Sequence, residues 1–362
     1  MTILLTGITG LLGCHVAISL LRAGHRVVAI ARSRKGITAK SRVNRLLEAY
    51  PGLASELEDL SLLHVVEGDV MEPQCGLSAQ DCDLLSGQPD AVVNCAGCVS
   101  FSPQCSDEVL RINNAGAENI CRLTSQLCCR RLVHVSTAYI DMGLKGKGFR
   151  TPYERSKLQG EKAVLGTAKE AGVNALIVRP SIITGDRRNG FTPTYNGIYP
   201  FIRFLSMFHN ELGKVDPADV IRWRSFLTGA VNLVPADYVA EIIKAAVERP
   251  EKNDEIFNVI NPVQWGISGL MDIVMPCFGA RFDEEYVLSQ GTSGDGCPAN
   301  LQTNIRLLME AYEPYFNVDL ELDTRSTEAL IKAAGMPILK NSQQWIHALI
   351  QWGRSRNWEE IS

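Results

Sequence analysis

Short runs rich in β-branched residues alternate with longer segments of helical spacing through the first half of the chain. Ile3 to Thr6, Val27 to Ala31, Leu62 to Val66, Ala91 to Cys95, Leu132 to Ser136 and Ala175 to Val178 are nearly continuous apolar runs. Such runs mark strands covered on both faces, as in a parallel sheet. Leu11 to Arg22, Ala39 to Glu48, Asp107 to Cys128 and Tyr153 to Glu170 instead place apolar residues at helical spacing. The alternation predicts an α/β fold, a doubly wound parallel sheet with right-handed crossovers. After Arg179 the pattern changes to a Gly-, Pro- and aromatic-rich stretch from Asn189 to Phe208, then to mixed helical and strand fragments. The division expected is a doubly wound domain over 1–188 and, over 189–362, mainly a smaller α/β substrate lobe, some of whose segments return to the sheet. Ser289 to Ala299 reads as a loop or linker. Trp345, Leu349 and Trp352 share one helical face and are expected to pack into the lobe's core.

Length and charge narrow the function. With 362 residues the chain can bury a large core, which excludes a short binding module. A net charge of -4 supplies no basic field for a phosphate backbone, so nucleic acid is not an expected partner. No apolar run reaches the ~18 to 20 residues of a transmembrane helix. Eleven cysteines suit disulfides only in an exported protein, whereas the first strand begins at Thr2 with no signal sequence ahead of it. A reducing, cytoplasmic setting is expected, with most thiols acting as small core residues. Cys95 and Cys98 have C-x-x-C spacing, but no second pair accompanies them, so no metal site is expected.

Directly after the first strand comes Thr6-Gly7-Ile8-Thr9-Gly10-Leu11-Leu12-Gly13, opening a helix within a βαβ unit that closes at Val27 to Ala31. This is the context that makes a glycine triplet a dinucleotide site. Gly7 allows the tight turn, Gly10 lets a pyrophosphate approach the backbone, and Gly13 lets the helix pack closely, while the helix N-terminus supplies amide donors. The second strand ends in Ala31-Arg32-Ser33-Arg34-Lys35, with cations and a hydroxyl where an acidic residue would select NAD. That favours a 2′-phosphate, hence NADPH, read by Arg32, Ser33 and Arg34. Asp69 and Val70 after the third strand are candidates for the adenine end, and Asn94, Ala96 and Gly97 after the fourth for close backbone approach.

Tyr153-Glu154-Arg155-Ser156-Lys157 places a phenol and an ammonium one helical turn apart on one face. A phenol with pKa near ~10 needs a neighbouring cation to exchange protons at neutral pH, and Lys157 is spaced to provide it. Ser136-Thr137-Ala138-Tyr139 at the end of the fifth strand brings hydroxyls to the same edge.

Together these residues resemble the extended short-chain dehydrogenase/reductase superfamily, over about residues 1 to 260. Within it the chain is most similar to the branch of fatty acyl reductases and thioester reductase domains. The similarity rests on Val93 to Gly97 followed by Val99-Ser100-Phe101, on His134 to Tyr139, on Arg179 to Asp186 and on Val234 to Ala240. The resemblance implies a Rossmann fold and Thr137 or Ser136 as the hydroxyl that polarises a carbonyl. It further implies Tyr153 as proton donor, Lys157 as its activator and nicotinamide-ribose contact, and Asn113 as support for a proton relay. Pro180 and Ile182, after Arg179, would meet the carboxamide end of the nicotinamide. After residue 260 there is no clear match to the C-terminal domain of eukaryotic fatty acyl reductases. The chain is also too short for an adenylation domain plus reductase, and no Asp-Ser dipeptide offers a carrier attachment serine.

The function expected is NADPH-dependent reduction, by a free-standing enzyme, of a small-molecule or carrier-protein-bound acyl thioester to aldehyde and onward to alcohol. The aromatic stretch Tyr195 to Phe208 is expected to line an apolar acyl channel. Ketone or aldehyde reduction, hydroxyl oxidation, sugar-nucleotide epimerisation and non-catalytic NADP binding are the alternatives, and the Arg32 to Lys35 cluster counts against an NAD-retaining epimerase.

Overall fold

The computed structural model describes residues 1–53, 60–99, 106–208, 228–250, 254–279, 315, 318, 320 and 321–361. Among the described residues the main sheet has seven strands, β1 (Thr2–Thr6), β2 (Arg26–Ala31), β3 (Leu63–Glu67), β4 (Ala91–Asn94), β5 (Arg131–Val135), β6 (Asn174–Pro180) and β7 (Glu255–Val259). Their order is β7-β6-β5-β4-β1-β2-β3 and every pairing is parallel. The order reverses between β1 and β4, which opens a crevice beyond their C-terminal ends, the usual ligand position in such sheets.

Both faces of the sheet are covered, as the continuous apolar runs require. Ile3, Leu5, Ala29, Val93, Val133 and Val178 point into one core, and Leu4, Val28, Val92, Leu132 and Ile177 into the other. Helix α1 (Leu11–Arg22) and helix Ala236–Glu248 cover the first face. Helices Ser106–Gln126 and Pro152–Ala171 cover the second, packed against one another. They approach so closely that a Cβ on Gly160 would lie 2.1 Å from the Asn113 carbonyl oxygen. Ser156 and Lys157 are thereby brought alongside Asn113 and the ends of β4 and β5.

The first half follows the sequence pattern closely, with helices at Leu11–Arg22 and Ala39–Glu48 as expected. Two strand ends are shorter. β4 stops at Asn94 and β5 at Val135, so Cys95 and Ser136 belong to the loops over the crevice. The chain after residue 188 is shared between two places. Helix Ala236–Glu248 and β7 complete the sheet layers, and helix Arg325–Ala333 packs on β7. A second core gathers Tyr199, Phe201, Trp265, Leu270, Trp345 and Leu349. Trp345 is 2% exposed and donates its indole N–H to Thr184 Oγ1 at 3.1 Å, while Trp352 donates to the Thr192 carbonyl at 3.0 Å. The face they share on helix Gln343–Ser355 is thus a packing face. Ser289 to Ala299 lies outside the described residues.

Candidate active site

A cleft of about 330 Å³ lies over the C-terminal edge of the sheet, walled by the α1 N-terminus, the β4 and β5 loops, the start of helix Pro152–Ala171 and the segment after β6. Of the residues singled out in the sequence, Gly10, Leu11, Leu12, Gly13, Gly97, Pro180 and Ile182 line it. Ser136, Thr137, Tyr153 and Lys157 line it together.

The glycine loop has the geometry of a dinucleotide cradle. Gly7 has φ +77°, and a Cβ there would lie 2.6 Å from the Ala96 nitrogen. A Cβ on Gly13 would lie 2.1 Å from the Gly7 carbonyl oxygen, so the first turn of α1 closes directly onto the loop. The N-cap, Gly10, brings no side chain to the free amides of that turn, which therefore face the cleft as anion donors. Thr6 and Asn94 are turned inward. Thr6 Oγ1 donates to Asn94 Oδ1 at 2.6 Å and accepts from the Ala96 N–H at 3.3 Å, fixing the β4 loop against β1. Asn94 Nδ2 donates to His134 Nδ1 at 3.0 Å. Burial and the nearby Lys157 keep that imidazole neutral, its pKa well below the ordinary value. Thr9 is half-buried in the loop.

The β2 end lies outside the cleft lining. Arg32 is exposed and donates to Asp69 Oδ2 at 3.2 Å; Ser33 Oγ accepts from the Ala39 N–H at 3.2 Å. Arg34 forms a tight backbone bridge with Ile37. Arg42 of helix Ala39–Glu48 joins them, donating to the Arg32 carbonyl at 2.6 Å. Its pKa is lowered by partial burial and by the positive charges of Arg34 and Arg32. Sequence reasoning passed over Arg42, although its place one turn into the helix after the cationic run is a usable signal. The Val70 carbonyl accepts from Asn119 Nδ2 at 2.9 Å, which holds the β3 loop to helix Ser106–Gln126.

At the other end of the cleft Tyr153 and Thr137 line the wall together, and burial raises the phenol's pKa, partly countered by the Thr137 hydroxyl. Thr137 Oγ1 also lies 3.4 Å from the Pro180 carbonyl. Ser136 Oγ is buried with no partner among the described residues. Lys157, 5% exposed, donates to the Val135 carbonyl at 2.7 Å. That carbonyl lies beyond the last β4 pairing at His134, so the ammonium takes a position the ladder leaves open. Burial lowers the Lys157 pKa to about 8, partly countered by Cys95 and Glu161. Asn113 grips the β4 loop, accepting from the Cys98 N–H at 2.8 Å and donating to the Cys98 carbonyl at 3.0 Å and to Ser156 Oγ at 2.9 Å. Its side chain holds the loop and does not line the cleft.

The lobe contributes differently from the expectation. Tyr195, Tyr199, Phe201 and Phe204 pack into the lobe's own core, and Thr194, Asn196 and Gly197 face the cleft, with Tyr315. Ser100 and Phe101 lie outside the described residues.

Residues 5–243 match the family model described as male sterility protein, an NAD-binding model, over well more than half of the chain. The chain belongs to this family. The male sterility protein family is a branch of the extended short-chain dehydrogenase/reductase superfamily. Relatives include the large subunit of L-2-aminoadipate reductase of Eremothecium gossypii, 27% identical over 67% of this chain and 19% of its own length. Fatty acyl-CoA reductase 1 of Mus musculus is 26% identical over 73% of this chain and 59% of its own. The chain thus spans only part of either relative. Among solved structures, the terminal R domain from the myxalamid PKS-NRPS pathway shares the fold, with a TM-score of 0.72 at 20% identity over 99% of this chain and 92% of that one. No helix among the described residues is long and apolar enough to cross a membrane.

Proposed function

We propose that this male sterility family member is an NADPH-dependent reductase of acyl thioesters, held on coenzyme A or on a carrier protein, yielding the aldehyde and, in a second turnover, the alcohol. The observation that carries the proposal is the convergence of Ser136, Thr137 and Tyr153 on one cleft, with Lys157 one turn along the helix from Tyr153. Relatives named for reduction of aminoadipate and of fatty acyl-CoA support the substrate class.

The residues present fit a dinucleotide. The Gly7–Gly13 cradle and the uncapped α1 N-terminus would hold its pyrophosphate. Thr6, Thr9, Asn94, Ala96 and Gly97 would shape the loops beside it, and Asp69 and Val70 its adenine end. Arg32, Ser33, Arg34 and Arg42 would take a 2′-phosphate. The Arg32–Asp69 pair does not oppose that role, because both partners are partly exposed. Such pairs are worth ~0 to 1 kcal/mol, less than a charge-assisted contact to phosphate.

When bound, the nicotinamide supplies the hydride. The protein's part is to polarise the carbonyl and manage the charge that develops on its oxygen. The Tyr153 and Thr137 hydroxyls, with Ser136 Oγ beside them, are donors for that oxyanion, where preorganised hydrogen bonds contribute most. The Lys157 cation lowers the cost of losing the Tyr153 proton. Proton transfer from Tyr153 gives the hemithioacetal, whose C–S bond breaks to release thiol and aldehyde. The same hydroxyls then serve the aldehyde.

The test is to supply NADPH with a panel of coenzyme A and carrier-bound thioesters and measure thiol, aldehyde or alcohol, and NADP together. Joint appearance of these products is expected. Turnover of ketones or free aldehydes with no thiol released from any thioester would replace the proposal by a carbonyl reductase.

A further inference from the structure

Three charged side chains that touch no reacting group are buried together beneath the catalytic pair. The Arg150 backbone N–H donates to Glu154 Oε2 at 3.0 Å and its Nε to Glu154 Oε1 at 2.7 Å. Its Nη2 donates to the Tyr139 carbonyl at 2.8 Å and to the Asp141 carboxylate. The guanidinium also lies over the Tyr139 ring, 5.5 Å from its centroid. The Glu154 side chain is fully buried, that of Asp141 is 3% exposed and that of Arg150 13%.

The connections made by this one side chain are specific. Glu154 adjoins Tyr153 in the first turn of helix Pro152–Ala171, and its N–H is capped by Thr151. Tyr139 and Asp141 follow Thr137 on the loop after β5. Arg150 therefore ties the loop that carries one hydroxyl to the turn that carries the other. A second tie runs through Tyr315, whose hydroxyl lies 2.8 Å from Thr151 Oγ1 and whose ring meets Tyr139 edge to face at 5.0 Å.

Stability alone does not account for the arrangement. Two carboxylates face one guanidinium away from water, and buried ionic clusters of this kind are commonly no more stable than apolar side chains of the same volume. What the cluster supplies that apolar packing does not is direction, through hydrogen bonds from one planar group to three separate acceptors.

We propose that Arg150 is the positioning residue of the active site, holding the loop that carries Thr137 against the helix turn that carries Tyr153 so that both hydroxyls face the cleft. The proposal rests on the reading of that pair as the carbonyl-polarising group. Arg150 lies outside every motif that identified the site.

The test compares Arg150→Met, Arg150→Lys and the charge-balanced Arg150→Met/Asp141→Asn/Glu154→Gln chain, which leaves no buried carboxylate unpaired if the single Met variant fails to fold. Crystal structures report the Thr137–Tyr153 distance, and aldehyde reduction reports kcat, KM and NADPH affinity separately. In the Met variants the two hydroxyls are expected to move apart. There kcat should fall roughly 10- to 100-fold, the scale of a small misplacement of catalytic groups, with NADPH affinity unchanged and partial recovery in Arg150→Lys. An intact hydroxyl pair, an unchanged kcat, or equal loss of kcat and NADPH affinity overturns the proposal. If the unaltered protein reduces no carbonyl compound, the functional reading falls by itself, and the crystal structures still decide whether Arg150 holds the pair.

Discussion

Lys157→Met replaces the buried ammonium by an apolar side chain of similar length and should change the pH dependence of stability in a calculable way. In the folded protein burial lowers the lysine pKa from 10.5 to about 8, against the support of Cys95 and Glu161. Below pH 8 both folded and unfolded chains carry the proton, and the folded one bears the full cost of burying it. Between pH 8 and 10.5 the unfolded chain keeps a proton that the folded chain has lost, so stability rises with pH across that window. At about 1.4 kcal/mol per pH unit the gain amounts to roughly 3 kcal/mol. Tyrosines and cysteines titrate in the same range, so the quantity to measure is a difference. Urea unfolding of the unaltered and Lys157→Met proteins, followed by circular dichroism at pH 7 to 10.5, should give curves that diverge by that amount. The unaltered protein should gain on the variant as pH rises. Parallel curves would refute the reasoning, since they would mean that Lys157 keeps an ordinary pKa despite its burial. The same assignment predicts that reductase activity falls above pH 8 as the ammonium beside Tyr153 loses its proton.

Tyr153→Phe keeps the ring and removes the hydroxyl that lines the cleft with Thr137; turnover should fall by ~10² or more with NADPH binding nearly intact, as measured by steady-state rates and fluorescence titration. Arg32→Ala should weaken NADPH by roughly 1 to 3 kcal/mol and NADH little, and Arg42→Ala should do the same to a smaller degree; equal losses for the two cofactors in calorimetry would make the cluster structural. Gly13→Ala places a Cβ against the Gly7 carbonyl, so the loop must open; a loss of roughly 1 to 3 kcal/mol in stability and of dinucleotide binding is expected, and unchanged binding would show that the cradle is not the site.

The sheet was legible because strands covered on both faces have to be apolar throughout. Ile3 and Leu4, or Val92 and Val93, serve opposite cores and leave no polar position between them. The glycine loop and the Tyr153–Lys157 pair were legible because local spacing alone decides their geometry. The seventh strand was not, since Glu255–Val259 lies at the sheet edge and its partner β6 is 75 or more residues earlier, with no local signal linking them. Arg42 and Arg150 escaped for the same reason. Each acts through a contact to another element, Arg42 at the Arg32 carbonyl and Arg150 at Tyr139 and Asp141.

The lobe shows where composition misleads. A stretch dense in tyrosine and phenylalanine was expected to line an apolar channel, but a small lobe must first cover its own core. Tyr199 and Phe201 are fully buried there against neighbours such as Trp265 and Trp345. What remains for the cleft is the turn before them, Thr194, Asn196 and Gly197, which brings small and polar groups to the wall beside Ile182. A wall of this kind would suit the thioester end of the proposed substrate, where hydrogen-bonding groups serve better than aromatic rings. Charge develops on the carbonyl oxygen as hydride arrives, and fixed dipoles near it lower the barrier, whereas an apolar face would only raise the cost of ionisation. The aromatic residues act one layer back, by giving the turn a rigid base from which those groups are presented.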